Sequence, residues 1–567
     1  MARKSAQEII QRTDALISER SNLDATLDLI ERFIRPGRGR MWQTEDSEME
    51  IDWRRGREVY DGTAILAASF LASNLQSYLS SSSTPWYDIG FQDTELAKVR
   101  EARLWVEDGV ERHRKAYASS TLYEELPEMY FDGVSFGTAF IEHVEKEPPS
   151  GRPATVWRGH QFKTEAIKNT YFEESIDGEL IGFYRVRHYT PLQLALKFGM
   201  AALPGRLRGR VAKAEQEEVE CIYAVYLDSG IEPDPLTPAP PDRRPYVGRW
   251  VLRDSSEFIG DEVGYYEMPG YCWRWARMSD SRYGYGPGMI ALSDVLTLQD
   301  QVWMRRTATE KVVDPPMKAT RRGVLGSINH GVGKVTIVRD MNQPQPLMPP
   351  GAYQIREADN DIADLRNRID RAFFVDQLLM KESPEMTAQE VRVRYEIMQR
   401  LLGPNVGRAR TDVFDRMHKR AWFMMMRKGA IPPMPAVVAE AGADFELTYN
   451  GPLARAERLD HVEITERWLG LLRGMSEMPG GDQLADVPEW DTIARESAEI
   501  LGVPTRFVGD DMAVRKRRQE RIARLQQAMA AEQAAKLGQA AHGLGRSGLM
   551  DMAGRGANGN AQGDAGV

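Results

Sequence analysis

The feature that most constrains this chain is a pair of long helical runs separated by a segment that cannot be helical. From Pro287, a residue suited to the first turn of a helix, apolar side chains recur at Leu292, Val295, Leu296, Val302 and Trp303, with the polar Gln299 set among them. This spacing predicts one helix to about Val313, where Pro315-Pro316 stops it. A second run from about Glu357 carries Ile362, Leu365, Ile369, Ala372 and Phe373 on one stripe. At 1.5 Å per residue, a helix of about 25 residues spans roughly 37 Å. Residues 316–355 hold glycines, prolines and the strand-like Lys334-Val-Thr-Ile-Val338. Two long helices therefore bracket a small β-rich tip. Each has a narrow apolar stripe with no obvious partner in its own chain, which points to packing against further copies.

The rest of the chain has room for several folding units at 567 residues. Helical spacing covers 5–34, closed by Pro36-Gly37, then about 62–81 and 94–119, and again near 122–132 up to Gly133. Thr138–Glu145 alternates like a strand and opens a β-rich stretch to about 275 that includes 182–187, 219–226 and 246–252. Pro191–Lys197 and Glu257–Glu262 read as interruptions, and the six prolines between Gly230 and Tyr246 as a surface loop. Thr387-Ala-Gln-Glu390 has capping-box spacing and starts a helical stretch to about Lys428, with a break or kink expected at Gly403-Pro404. From about 485 the chain is helical again and ends in a flexible tail.

Composition excludes several function classes. With 42% hydrophobic and 28% charged residues, the chain is a folded protein for most of its length. A net charge of −9 lacks the basic excess of a general nucleic-acid binder. Two cysteines, Cys221 and Cys272, are too few for a disulfide framework and read as buried thiols. The first helix has charges throughout and no apolar signal core, and Ile65–Leu79 is too short and too polar to span a bilayer.

Motifs for chemistry fail on context. Gly133-Val-Ser135-Phe-Gly137 matches a serine-hydrolase pattern, but that chemistry needs a strand-to-helix turn and here the order is reversed. A phosphate loop at Gly331–Lys334 would need glycine at Ile328 and a hydroxyl at Val335. Asp359-Asn-Asp361 lacks the rest of a calcium loop, and the eight histidines are scattered, so that one such as His418 reads as helix packing. No catalytic, cofactor or metal residue is assigned. The strongest basic cluster is Arg515, Lys516, Arg517 and Arg518, extended by Arg521 and Arg524. It reads as a solvated helix face or as a contact for DNA or an acidic partner.

Several stretches, in order, resemble the podovirus-type head-to-tail connector family along nearly the whole chain. They are Tyr60-Asp-Gly-Thr-Ala64, Thr84-Pro-Trp-Tyr87, Asp132-Gly-Val-Ser-Phe-Gly-Thr-Ala139, Arg274-Trp275, Tyr283-Gly-Tyr-Gly-Pro287, Met386-Thr-Ala-Gln-Glu390, Tyr449-Asn-Gly-Pro-Leu-Ala-Arg-Ala456 and Gly502-Val-Pro504. Many members carry asparagine in the first long helix where this chain has Gln299 or Gln301. The resemblance implies an α+β, mainly α portal fold. Its parts would be a wing (1–286), a first stem helix (287–314), a clip (315–355) and a second stem helix (356–380). A channel loop (381–386), wing helices with a return strand (387–484), a helical crown (485–540) and a flexible tail (541–567) would follow.

The implied function is structural. A ring, usually of twelve subunits, would stand at one capsid vertex of the virion after assembly in the host cytoplasm. Double-stranded DNA would enter under a terminase motor and leave into the tail. Tail adaptors, major capsid protein and scaffolding protein are the further implied partners; no membrane is. Lys381, Glu382, Ser383, Pro384, Glu385 and Met386 become candidates for facing the channel. Lys318, Arg321, Arg322, Lys334 and Arg339 become candidates for touching motor or tail. The bore is expected to be mainly acidic with sparse basic rings, because a strongly basic lining would hold sliding phosphates. Two other readings stand beside this one: a different oligomeric virion component, and a serine hydrolase using Ser135.

Overall fold

The computed structural model describes residues 3–38, 59–93, 95–96, 99–146, 157–228, 230–231, 239–279, 281–313, 317–318, 345–346, 353–378, 402–442, 445–449, 452–476, 487–501, 503 and 505–555. The chain divides into two compact units, one of residues 1–96 and 105–456, the other of 97–104 and 457–567.

In the first unit, α1 (Ala6–Phe33) starts at a capping box in which Ser5 and Glu8 satisfy each other's backbone N–H groups. Then come α2 (Thr63–Leu79), β1 (Tyr87–Phe91), α3 (Arg100–Ala118, which begins in the second unit) and α4 (Leu122–Phe136). The last of these runs through Gly133 and stops only at Gly137, whose left-handed backbone (φ 71°) suits glycine. Strands β2 (Thr138–Glu145), β3 (His160–Glu165), β4 (Thr170–Glu174) and β5 (Leu180–Tyr189) lead to α5 (Pro191–Phe198) and α6 (Gly205–Ala212). Next are β6 (Val219–Leu227), β7 (Tyr246–Leu252), β8 (Glu257–Tyr265), β9 (Gly270–Arg274) and the short pair β10 (Ala276–Arg277) and β11 (Gly284–Tyr285).

Strands β4 to β8 form a five-stranded antiparallel sheet in sequence order, and β3-β2-β9 form a second sheet. The expected interruption at 257–262 is thus a strand, reached through a tight reversal in which Ser256 takes φ 54°. One sheet face is covered by α1: Ile9 and Leu16 pack on Tyr184, Ile222, Ala224, Val247 and Val251. Arg185 of β5 joins the two sheets, donating to Glu142 of β2 at 2.6 Å and Glu165 of β3 at 2.7 Å. A buried guanidinium needs such partners, since an unpaired charge is costly away from water.

The first long helix, α7, spans Pro287–Val313. Met317–Lys318 (β12) and Gln345–Pro346 (β13) pair antiparallel beyond it. The second long helix, α8, starts at Tyr353 and ends at Ala372, short of the expected 380. Phe374 adopts φ 59°, and a single turn, α9 (Val375–Leu378), follows. Residues 402–409 are helical and a π segment at Arg410–Phe414 leads into α10 (Asp415–Arg427); Gly403-Pro404, where a break or kink is expected, stands at the edge of the described residues, and the stretch before 402 lies outside them. After α11 (Ala436–Ala441), β14 (Phe445–Tyr449) returns to pair with β1, placing Tyr449 opposite Tyr87.

The second unit contains most of α12 (Pro452–Ser476), then α13 (Trp490–Ile500) and α14 (Asp511–Arg555). The last helix reaches 15 residues past the expected boundary at 540, through Gly543, Gly545 and Gly548. Residues rich in alanine, leucine and glutamine sustain it. Both cysteines are buried and free. Among the described residues, no helix is long and apolar enough to cross a membrane.

Candidate functional site: the paired long helices and their anchor

Helices α7 and α8 run antiparallel, with Arg368 paired to Asp294 at 2.8 Å and Arg305 to Asp359. Each helix carries a buried apolar row. Ala291, Val295, Leu298 and Val302 of α7, and Ile362, Leu365, Ile369 and Phe373 of α8, are all buried. Both helices also pack against α2. The α8 stripe and part of the α7 stripe, Val295 and Val302, therefore find a partner within the chain, while Leu292 and Leu296 are half-buried and Trp303 stays exposed. Spacing marks a face that must be covered, not the element that covers it.

The root of α7 is set by glycines. A Cβ on Gly137 would lie 2.6 Å from the Gly286 nitrogen and 2.8 Å from the Gly284 oxygen; one on Gly288 would lie 2.1 Å from the Ser135 carbonyl oxygen. Two hydrogen bonds from backbone N–H groups hold the crossing: Gly284 N–H donates to the Thr138 side-chain Oγ1 at 2.7 Å and Trp275 N–H to the Gly137 carbonyl at 3.0 Å. The stretches 132–139, 274–275 and 283–287 thus meet at one point.

Midway along the pair lies a polar node. The Gln299 Oε1 accepts from the backbone N–H groups of Tyr60 (2.7 Å) and Asp61 (3.0 Å), and its Nε2 donates to the Asp61 carbonyl (2.7 Å). The Asp61 carboxylate accepts from the Thr63 N–H and hydroxyl at 2.9 and 2.6 Å, and from two Arg366 nitrogens at 3.0 and 2.7 Å. Arg306 donates to the Tyr60 carbonyl at 3.0 Å. Burial pushes the Asp61 pKa up, but the Thr63 hydrogen bonds and the Arg366 ion pair outweigh it and hold the carboxyl below its ordinary value. One short stretch, 60–63, therefore grips both long helices. Gln299 does here what a polar residue in a buried stripe must do: it satisfies backbone groups that water cannot reach.

The histidines are scattered in sequence but not in space. His113, His143, His160 and His418 lie in one buried core with Trp86, Tyr87, Tyr117 and Tyr271. His143 hydrogen-bonds His160 at 2.9 Å and the Tyr271 hydroxyl at 2.9 Å, while Tyr87 reaches His113 at 2.7 Å. His418 lies 4.0 Å from the Tyr87 ring centre, and neither of its nitrogens meets a protein partner. Burial lowers His113 to about 3 and holds the other three well below the ordinary value, with neighbouring cationic or imidazole groups adding to the shift. All four are neutral, enclosed packing residues. Among the described residues, no group of three His, Cys, Asp or Glu side chains is placed to hold a metal.

The remaining sequence candidates are placed as follows. Ser135 is fully buried in the last turn of α4 with no hydrogen-bond partner for its hydroxyl, which overturns its reading as a nucleophile. Lys318 falls on β12. Arg321, Arg322, Lys334 and Arg339, the segment Lys381–Met386, and the Thr387 cap lie outside the described residues. Arg515, Lys516, Arg517, Arg518, Arg521 and Arg524 are exposed on α14, and Arg518 pairs with Asp491 of α13 at 2.5 and 2.6 Å. The Asp61 and Gln299 node was missed as a site. The only signal was a polar residue interrupting an apolar stripe.

The sequence model of a family described as bacteriophage head to tail connecting protein matches residues 6–508. The chain is 26% identical over 558 residues to the portal protein of Salmonella phage epsilon15, covering 95% of each chain. It is 24% identical over 562 residues to a "probable portal protein" of Bordetella phage BPP-1, covering 96% of this chain and 95% of that one. Among solved structures, a chain from the neck of an empty gene transfer agent particle is 11% identical with a TM-score of 0.33, covering 79% of this chain and 95% of that chain.

Proposed function

Since the chain belongs to the bacteriophage head to tail connecting protein family, we propose that it is a portal subunit, a structural protein whose copies close into a ring at one capsid vertex of the virion. Viral DNA enters through the bore during packaging and leaves through it into the tail. The observation that carries this reading is the antiparallel pair α7 and α8, rooted by glycines at one end and gripped at mid-length by Asp61 and Gln299. A rigid two-helix post of this kind suits a channel wall that must hold its diameter while DNA passes. Relatives of nearly the same length carry the portal name, which favours this reading over another virion component.

Within this reading the ring has about twelve copies, and neighbours meet on outward apolar side chains such as Ile290, Trp303 and Met304 of α7. Residues 315–355, with Lys318, Arg321, Arg322, Lys334 and Arg339, form the clip that meets terminase and tail adaptors. Residues 381–386 reverse the chain toward the axis, and the bore is mainly acidic, with sparse basic rings, so that DNA slides. Capsid and scaffolding proteins meet the outer surface.

Negative-stain imaging with mass measurement of the purified chain tests the proposal. Closed rings with a central hole are expected. A stable monomer at micromolar concentration across several salt conditions overturns it.

A further inference from the structure

Six cations and a single carboxylate, Glu520, occupy residues 515–524 of a chain whose net charge is −9. The structure separates these cations by role. Arg518 is engaged: both terminal nitrogens of its guanidinium reach the carboxylate of Asp491 on α13. Arg517, Arg521 and Arg524 stand at i, i+4 and i+7, so at 100° per residue they share an arc of about 60° and span about 10 Å of helix. All three are exposed, and no ion pair holds them among the described residues. Farther along the helix, the same arc continues as Ala528, Ala531 and Ala535. The exposed apolar residues Ile522, Leu525 and Met529 lie on the Arg518 side, about 100° away. A neighbour packed on that apolar side leaves the three arginines uncovered.

We propose that Arg517, Arg521 and Arg524 form a binding stripe for the phosphate backbone of double-stranded DNA. Their chemistry favours phosphate, since the guanidinium is a planar fork that stays charged and meets phosphate oxygens in pairs. A straight row of such forks on a helix matches a regular row of anions. An acidic peptide offers no such fixed row. The contact is independent of base sequence, because backbone phosphates carry no sequence information directly. The portal reading enters at one point: a ring presents the stripe many times around one duplex, so weak single contacts add.

The test uses the full chain and a short labelled DNA duplex, with anisotropy followed across a salt series. The parent should bind, with log affinity falling linearly in log salt. The triple variant R517Q/R521Q/R524Q should lose at least about tenfold in affinity at ~0.1 M salt, with the slope reduced by about 0.9 for each arginine that had engaged a phosphate. The double variant R515Q/K516Q removes charge off the stripe and should stay within about threefold of the parent at the same salt. Mass photometry on the same samples shows whether the ring forms, so failure of assembly is distinguished from failure of contact. The proposal is overturned if the parent does not bind duplex at low salt, or if both variants weaken binding equally. Binding of a poly-glutamate peptide in preference to duplex also overturns it and assigns the stripe to an acidic protein.

Discussion

The side chain of Gln299 pairs with the backbone of Asp61 as a strand would, accepting from its N–H at 3.0 Å and donating to its carbonyl at 2.7 Å. A third bond, from the Tyr60 N–H, completes the carboxamide's oxygen. Replacing Gln299 by leucine keeps the volume and removes all three bonds. It strands two amide hydrogens and a carbonyl in a buried position, at about 1–3 kcal/mol per unsatisfied group. Amide exchange in peptides covering residues 60 and 61 should then accelerate at least ~10-fold. Unchanged exchange in Q299L would show that the loop is held by other contacts.

Asp61→Asn separates the charge of this node from its hydrogen bonds. Arg366 is about half exposed, so its ion pair contributes no more than about 1 kcal/mol at neutral pH. Because the folded Asp61 carboxyl is held below its unfolded value, its stabilisation is present above about pH 4 and is lost as pH falls through the lowered folded value. Parent and D61N should therefore differ in denaturation midpoint at pH 6 and converge toward pH 2.5. A constant difference across that range would assign the effect to packing.

The sequence shows the long helices plainly because Pro287 marks a start and the apolar spacing persists for several turns. It does not show that the stripes meet each other, since Asp294 and Arg368 become neighbours only once the chain has doubled back. The end of α8 at Ala372 was invisible for a local reason: no glycine or proline signals the left-handed residue that follows, Phe374. Strand β8 was hidden by its charged positions Glu257, Asp261 and Glu262, the first two of them exposed, and by the unusual turn at Ser256. The imidazole core draws on positions 113, 143, 160 and 418, a convergence that no spacing rule reaches. Residues 60–63 were recognised as a motif, but their partner lies 238 residues away.

Glycines at the root of α7 and in the helical stretch after 402 should respond in opposite directions to the same change. Gly288→Ala puts a Cβ 2.1 Å from a backbone oxygen that cannot move without disturbing α4, so soluble yield or ring formation should fall sharply. Gly407 is helical with nothing within 4 Å of a Cβ, and Gly407→Ala should stabilise by about 0.5–1 kcal/mol. Thermal unfolding of both variants checks the pair. Tolerance of G288A would mean that the close crossing does not set the α7 root.

The proposed axis-facing segment is tested by a swap rather than a point change. Replacing Glu382–Glu385 with a Gly-Ser linker should leave rings intact and lower the DNA retained in filled capsids, as expected of a soft valve that resists backward slippage. Retention equal to the parent in a variant that packages normally would rule out the valve. Failure of the rings to form would assign the segment a structural role.

His418 gives the sharpest pH prediction. Its ring is fully enclosed, packed on Tyr87 and Trp86, and has no protein hydrogen-bond partner. Burial, with His113 and Arg114 nearby, holds its pKa well below the ordinary value of about 6.5. The unfolded chain therefore takes up a proton near pH 6.5 that the folded core refuses, and stability falls as pH drops below that point. Each such histidine contributes a slope approaching about 1.4 kcal/mol per pH unit, and His113, His143 and His160 act in the same sense. Phenylalanine at 418 keeps an aromatic ring in the same packing and removes both unpartnered nitrogens. H418F should match or exceed the parent's urea midpoint at pH 8. Between about pH 6 and pH 5 its midpoint should fall less steeply, by the equivalent of one proton. Trp86 and Trp422, whose rings lie against this core, give the fluorescence signal that follows it. An acid slope in H418F identical to the parent's would mean that His418 titrates normally, and that its enclosure is relieved before the chain unfolds.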